Sequence, residues 1–253
     1  MSSFNDALKN IRLRNLAVFI VATYFVLSVL SRFTNGMIGT NLFYVIVIFY
    51  FMFMLKGHLQ GLKSDFVNVF ESDLKYILLV VLLNILFSYG MLYLSGALIS
   101  HFPFLDFMVN PSKSLIDSLP VVGGFIATVI VSPISEELIF RGVFLNRLKL
   151  FVPTVFAIFI SSLLFGALHP FGSMTSAVVF AVCMAILYLR TENICVPIFA
   201  HFLNNLLAEI IRLADVNNVL FTNDLVVGIV SVLAVISAVL LLISIADELN
   251  RIK

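Results

Sequence analysis

Of the 253 residues, 61% are hydrophobic and only 11% charged, and the mean hydropathy is +1.12. Soluble globular chains run near about 45–50% apolar and about 25% charged, so this composition excludes a water-soluble body and makes lipid the bulk solvent. The formal net charge of +1 gives no ground for a nucleic-acid partner, and the only cysteines, Cys183 and Cys195, provide no disulfide framework. Both lie in or beside apolar stretches and read as small buried hydrophobes.

A helix needs roughly 20 mostly apolar residues to cross the hydrocarbon layer. Eight stretches qualify, so an all-α polytopic bundle of about eight spans is expected. The basic N-terminal segment leads into the first, about Leu16 to Ser31, and no small-residue site marks a cleavable signal. The second runs from about Ile38 to Leu55. Between Lys56 and Asp73 the apolar residues Leu59, Leu62, Phe66, Val69 and Phe70 recur at helical spacing, which suits a short cytoplasmic helix on the interface.

The third span covers about Leu74 to Ile99, and an exterior loop of about Ser100 to Leu119 follows. The fourth, about Pro120 to Phe140, contains Pro133 and two carboxylates. The fifth runs from about Pro153 to His169, the sixth from about Met174 to Leu189, and the seventh from about Ile194 to Ile211. The eighth, about Leu225 to Ile245, carries neither charge nor amide. With the N-terminus inside, twelve of the fifteen Lys and Arg residues fall on cytoplasmic segments or span edges; only Arg32, Lys113 and Arg212 fall outside. This asymmetry is the positive-inside pattern, so both termini are expected in the cytoplasm. No soluble domain fits between the spans, and the chain reads as one integral membrane domain, residues 1–253.

An ionisable side chain at mid-bilayer costs about 2.5–3.5 kcal/mol on insertion scales, so those that persist face the protein interior. The first three spans carry almost none; Asn41 and Asn84 are the main polar exceptions and read as scaffold. The fourth ends SPISEELIFRG, where Glu137 and Arg141 are i,i+4 and share a face. Glu136 lies about 100° around the helix and is left for another partner. The fifth ends FGALHP with His169 before Pro170. The seventh carries HFLNN, with His201 and Asn205 on one face. Taken singly, each has a bland reading: solvated interface charges, a surface histidine, or polar glue between helices.

Taken together they suit water activation. A glutamate acts as base, a histidine orients the water or gives a proton, and a His/Asn pair polarises a carbonyl. Equally, Glu136, His169 and His201 could hold zinc with an open position for water. No serine or cysteine occupies a nucleophile motif; Ser132 and Ser135 have no adjacent base in sequence. Under the span limits above, Glu136 falls near the cytoplasmic end and His169 near the exterior end. A shared site requires the fourth helix to continue through Arg141 to about Leu150.

In order and spacing, Glu136-Glu137-x-x-x-Arg141, Phe165-x-x-x-His169 and His201-x-x-x-Asn205 resemble the three motifs of the CPBP (Abi) family. These are the type II CAAX prenyl endopeptidases and their microbial relatives. The resemblance covers about Val121 to Arg212 and implies an intramembrane endopeptidase with its cavity open toward the cytoplasm. It implies Glu136 as general base, His169 as its helper on the water, and His201 with Asn205 as the oxyanion pair. Glu137 and Arg141 would be structural or substrate-orienting, and Phe165 belongs to the second motif. Family members are often labelled metalloproteases, although a metal-free glutamate mechanism is also proposed for them. The expected substrate is a membrane-associated or lipidated peptide, including a prenylated CaaX-like one. Two other readings stay open: a non-catalytic immunity or sensor protein of the same fold, and a transporter. The transporter is weakened by the absence of polar breaks in the first three spans and of an inverted repeat.

Overall fold

The computed structural model describes residues 3–33, 40–71, 74–102 and 121–252. Among these every regular element is helical. This follows from the lipid setting, where a helix satisfies its own backbone within one segment. The helices are α1 (Ser3–Lys9), α2 (Leu13–Phe33), α3 (Thr40–Met54), α4 (Gln60–Glu71) and α5 (Leu74–His101). A segmented rod follows, in which α6 (Val121–Ile126), α7 (Ser132–Glu137) and α8 (Asn146–Leu148) are joined by π-helical turns at Ala127–Val131 and Leu138–Leu145. The series closes with α9 (Thr154–Ala167), α10 (Phe171–Thr191), α11 (Cys195–Ala214), α12 (Val219–Thr222) and α13 (Asp224–Ile252).

Five of the described helices, α2, α5, α10, α11 and α13, are long and apolar enough to cross a membrane. Leu42–Met54 and Thr154–Ala167 are apolar but shorter. The chain is thus an integral membrane protein built as an all-α polytopic bundle. The expected exterior loop falls, from residue 103 to 119, outside the described residues, and so does the side chain of Asn41. The helix expected between the second and third spans exists as α4. Its Val69 is buried and Leu59 and Leu62 pack on the core, whereas Phe66 and Phe70 stay exposed.

The fourth span differs most from expectation. Instead of ending near Phe140, the rod runs on to Leu148, with right-handed helical dihedrals at every junction. Pro133 near the start of α7 has no N–H to give, so the ladder cannot keep uniform register there. The wider π turns flank this break; such turns recur at functional sites. Continuing the rod places Glu136 twelve residues from its end at Leu148 rather than four from an end at Phe140. That resolves the depth mismatch with His169.

α10 is the most buried of the long helices and packs against α5, α9 and α11. Two glycines allow the tight approaches. A Cβ on Gly142 would lie 2.6 Å from Leu8 Cδ2, so the rod can accept α1 across it. A Cβ on Gly166 would run into Val178 Cγ2 and the backbone of α10.

One end of the bundle is tied together by polar contacts. Asn5 of α1 donates to Asp65 of α4 at 3.0 Å and accepts from the Ile194 N–H at 3.0 Å. Asn193 donates to the Asp65 carbonyl at 2.7 Å, and Arg147 donates to the Ile11 carbonyl at 2.7 Å. Arg190 and Arg251 both reach Glu248, at 3.1 and 3.2 Å. Cys183 and Cys195 are buried free thiols.

Candidate active site

Three elements bring the motif residues together. α7 and the π turn after it supply Glu136, Glu137 and Arg141; α9 supplies Phe165 and leads directly into His169; α11 supplies His201 and Asn205. The i,i+4 pairing read from the sequence forms: Arg141 donates to Glu137 Oε1 at 3.1 Å, with both side chains essentially inaccessible. Arg141 also donates to the Ala181 carbonyl of α10 at 3.0 Å. That second bond locks the guanidinium between the rod and the central helix.

His201 completes this buried group. Its Nδ1 lies 2.8 Å from Glu137 Oε1. Because an ionised carboxylate only accepts, this nitrogen carries the proton and donates. The Nε2 is thereby turned toward Glu136, whose Oε2 is 3.8 Å away. That distance is too long for a hydrogen bond. The other oxygen of Glu136 is held by Ser132, whose hydroxyl donates at 2.8 Å. The Tyr44 hydroxyl of α3 lies beside the same carboxylate. One oxygen of Glu136 is therefore anchored, and the other faces His201 without being bonded to it.

His169 is fixed by its own turn. Its Nδ1 is 3.0 Å from the Phe165 carbonyl, which can only accept, so Nδ1 donates and Nε2 carries the lone pair. The Phe165 ring is the hub of the site. It stacks against His169 at 4.8 Å, meets His201 edge-on at 6.1 Å, and has the Arg141 guanidinium 4.8 Å from its centre. Among the described residues no hydrogen bond joins His169 to Glu136. The two are related through Phe165 and His201.

Asn205 donates to the Thr128 carbonyl at 2.9 Å, within the first π turn of the rod. The carbonyl finds a side-chain donor there because the π turn disturbs the regular ladder. His169, His201, Asn204, Asn205 and Phe165 line one cavity of about 140 Å³. Asn84 of α5, read from the sequence as scaffold, lines it too. The sequence also gave no sign of Ser132 as the anchor of Glu136, nor of Tyr44. One turn of helix separates Ser132 from Glu136, and that spacing was the available signal for the serine. Tyr44 lies on a separate apolar span and carries none.

Among the described residues no three His, Cys, Asp or Glu side chains come together as a metal-holding group. Both histidines spend Nδ1, His201 on Glu137 and His169 on the Phe165 carbonyl, and Nε2 of each is the nitrogen a metal would use.

The class of protein is therefore an all-α polytopic membrane protein with a buried Glu–Arg–His cluster beside a polar cavity. Residues 118–207 match the model of the Rce1-like type II CAAX prenyl endopeptidases. Over 107 residues the chain is 36% identical to "Putative membrane peptidase YdiL" of Bacillus subtilis strain 168. That match takes in 42% of this chain and 43% of the relative, so less than half of the relative's length is spanned. The segment that builds the site is thus similar to the type II CAAX prenyl endopeptidases over residues 118–207. No solved structure matches the chain.

Proposed function

We propose that the protein is an intramembrane endopeptidase that hydrolyses a peptide bond of a membrane-associated or lipidated substrate, with water activated by Glu136. The observation that carries this reading is the setting of Glu136: one oxygen held by Ser132 at 2.8 Å, the other 3.8 Å from His201 Nε2. A carboxylate so oriented, with one lone-pair face uncommitted, is suited to take a proton from water. The Nε2 of His169, set by the Phe165 carbonyl, is a second acceptor at the cavity for orienting that water. Proton transfer from water to Glu136 accompanies attack of the oxygen on the scissile carbonyl carbon. The carbonyl oxygen becomes an oxyanion; a His201 that carries a proton on both ring nitrogens donates to it from Nε2 while Nδ1 donates to Glu137. Asn205 gives one N–H to Thr128, which holds the first π turn against α11, and its second N–H is left for the oxyanion beside His201. Collapse of the tetrahedral adduct breaks the C–N bond, and the proton on Glu136 passes to the leaving amine.

The match to a family of prenyl endopeptidases and to a membrane peptidase supports the reaction class. A prenylated CaaX-like chain is the first substrate to try. We take the mechanism as metal-free, with Glu136 as the base. The test is cleavage of fluorogenic lipidated peptides by purified protein in nanodiscs, before and after chelation and dialysis. Glu136→Ala and His169→Ala should each lower turnover by at least about a thousandfold, while chelation leaves it unchanged; hydrogen-bonded acid–base groups commonly contribute about 10²–10⁴-fold. Activity retained in both variants would remove the peptidase reading. Loss on chelation with rescue by zinc would replace the metal-free version.

A further inference from the structure

Asn84 is a polar residue of the cavity that the reaction above leaves unused. It lies on α5, ten residues past Leu74, in an apolar span of 28 residues. Its side chain is buried, with 3% exposure. The amide nitrogen donates to the Val80 carbonyl of the same helix at 2.9 Å. The Oδ1 atom has no hydrogen-bond partner among the described residues. Reversing the amide would set two carbonyl oxygens against each other at Val80, so an acceptor is what remains available. The Cys183 thiol lies alongside, and a thiol is a weak donor.

A buried acceptor without a partner is costly unless something visits it. The same cavity is lined by His169, His201 and Asn205, and by Ser88 one turn further along α5. Ser88 is already paired, donating to Ser176 at 3.3 Å. The free groups are then mostly acceptors: Asn84 Oδ1 on one element and the Nε2 of His169 on another. The occupant that suits them carries a neutral N–H or O–H donor. A lipid tail has none. A peptide unit presents a backbone N–H together with the carbonyl that His201 would receive.

Resting on the peptidase reading, we propose that Asn84 is a substrate-binding residue whose Oδ1 accepts one backbone N–H of the peptide in the cavity. α5 thereby supplies a wall of the substrate site from outside the family-matched segment. The N–H accepted belongs to a residue close to the scissile bond, since the same small cavity holds both histidines.

The test uses full-length protein carrying Glu136→Gln, so that binding is read without turnover. The probes are a fluorescein-labelled apolar peptide and its single N-methyl derivatives. One methylated position should weaken binding about tenfold, the scale of one hydrogen bond to a buried acceptor. Adding Asn84→Ala, or the near-isosteric Asn84→Leu, should weaken the unmethylated peptide by a similar factor and abolish the effect of that methyl group. Unchanged affinity in both variants overturns the inference, as does weaker binding that keeps its full sensitivity to methylation. So does a parent protein that binds no peptide at all. Asn84-dependent binding without cleavage by the Glu136 protein would preserve this site and remove the peptidase. Cleavage with Asn84-independent binding would do the reverse.

Discussion

At the residue scale, the most demanding group is Arg141 with Glu137. Both side chains are sealed from solvent, and the pair is joined by His201 and the Ala181 carbonyl. Glu137 Oε2 and Arg141 Nε have no hydrogen-bond partner among the described residues, so the cluster is already under-supplied. Removing one member leaves a buried charge uncompensated, which costs about 3–5 kcal/mol. Arg141→Met should therefore destabilise the protein by that amount in detergent unfolding measurements. The double variant Glu137→Leu with Arg141→Met should recover part of the loss, because no lone charge remains. Destabilisation in the double variant equal to the sum of the two single variants would mean that the pair is not energetically coupled. Sequence spacing showed this pair directly, since i,i+4 is a local geometry. It could not show that His201, 64 residues away, joins it.

At the scale of elements, α9 and α10 cross where Gly166 leaves no room for a side chain. Gly166 is next to Phe165 and three residues before His169, so the crossing sets the height of the second motif. Gly166→Ala gains helix propensity of up to about 1 kcal/mol but forces the two helices apart. The clash includes the α10 backbone, which cannot swing aside like a flexible side-chain end. The expected outcome is a net loss of about 1–3 kcal/mol in stability and at least a tenfold drop in turnover. Thermal unfolding and peptide cleavage check the two halves separately. The rod shows how a local rule can mislead. The expected span stopped at Phe140, just before Arg141, yet the helix continues because tertiary partners satisfy Arg141 and Arg147. Their charge counts against a span only while lipid is assumed to surround it.

At the scale of the whole molecule, one end of the bundle gathers α1, α4, the end of α10 and the end of α13. The links are Lys9 with Glu192, Asn5 with Asp65, and Arg190 with Glu248. These elements share a side, and they carry basic residues that the positive-inside pattern assigns to the cytoplasm. We expect the segments before α2 and after α13 both to face the cytoplasm. Single cysteines placed at Arg12 and at Asn250, in a background with both native thiols removed, should be blocked by impermeant maleimide only in inverted vesicles. Labelling from the outside of intact cells would refute that orientation.

Composition and basic-residue asymmetry by themselves determined the membrane class and the helical architecture, because lipid leaves a chain few other ways to satisfy its backbone. Residue order and local spacing determined the three motifs and the Glu137–Arg141 pair. The tertiary structure alone decided what each polar group faces. It turned Glu136 toward His201, put Phe165 between the histidines and the arginine, and set the orphan carbonyl of Asn84 in the same cavity. Those relations join residues dozens of positions apart, and no periodicity within one helix records which neighbour its polar face will meet.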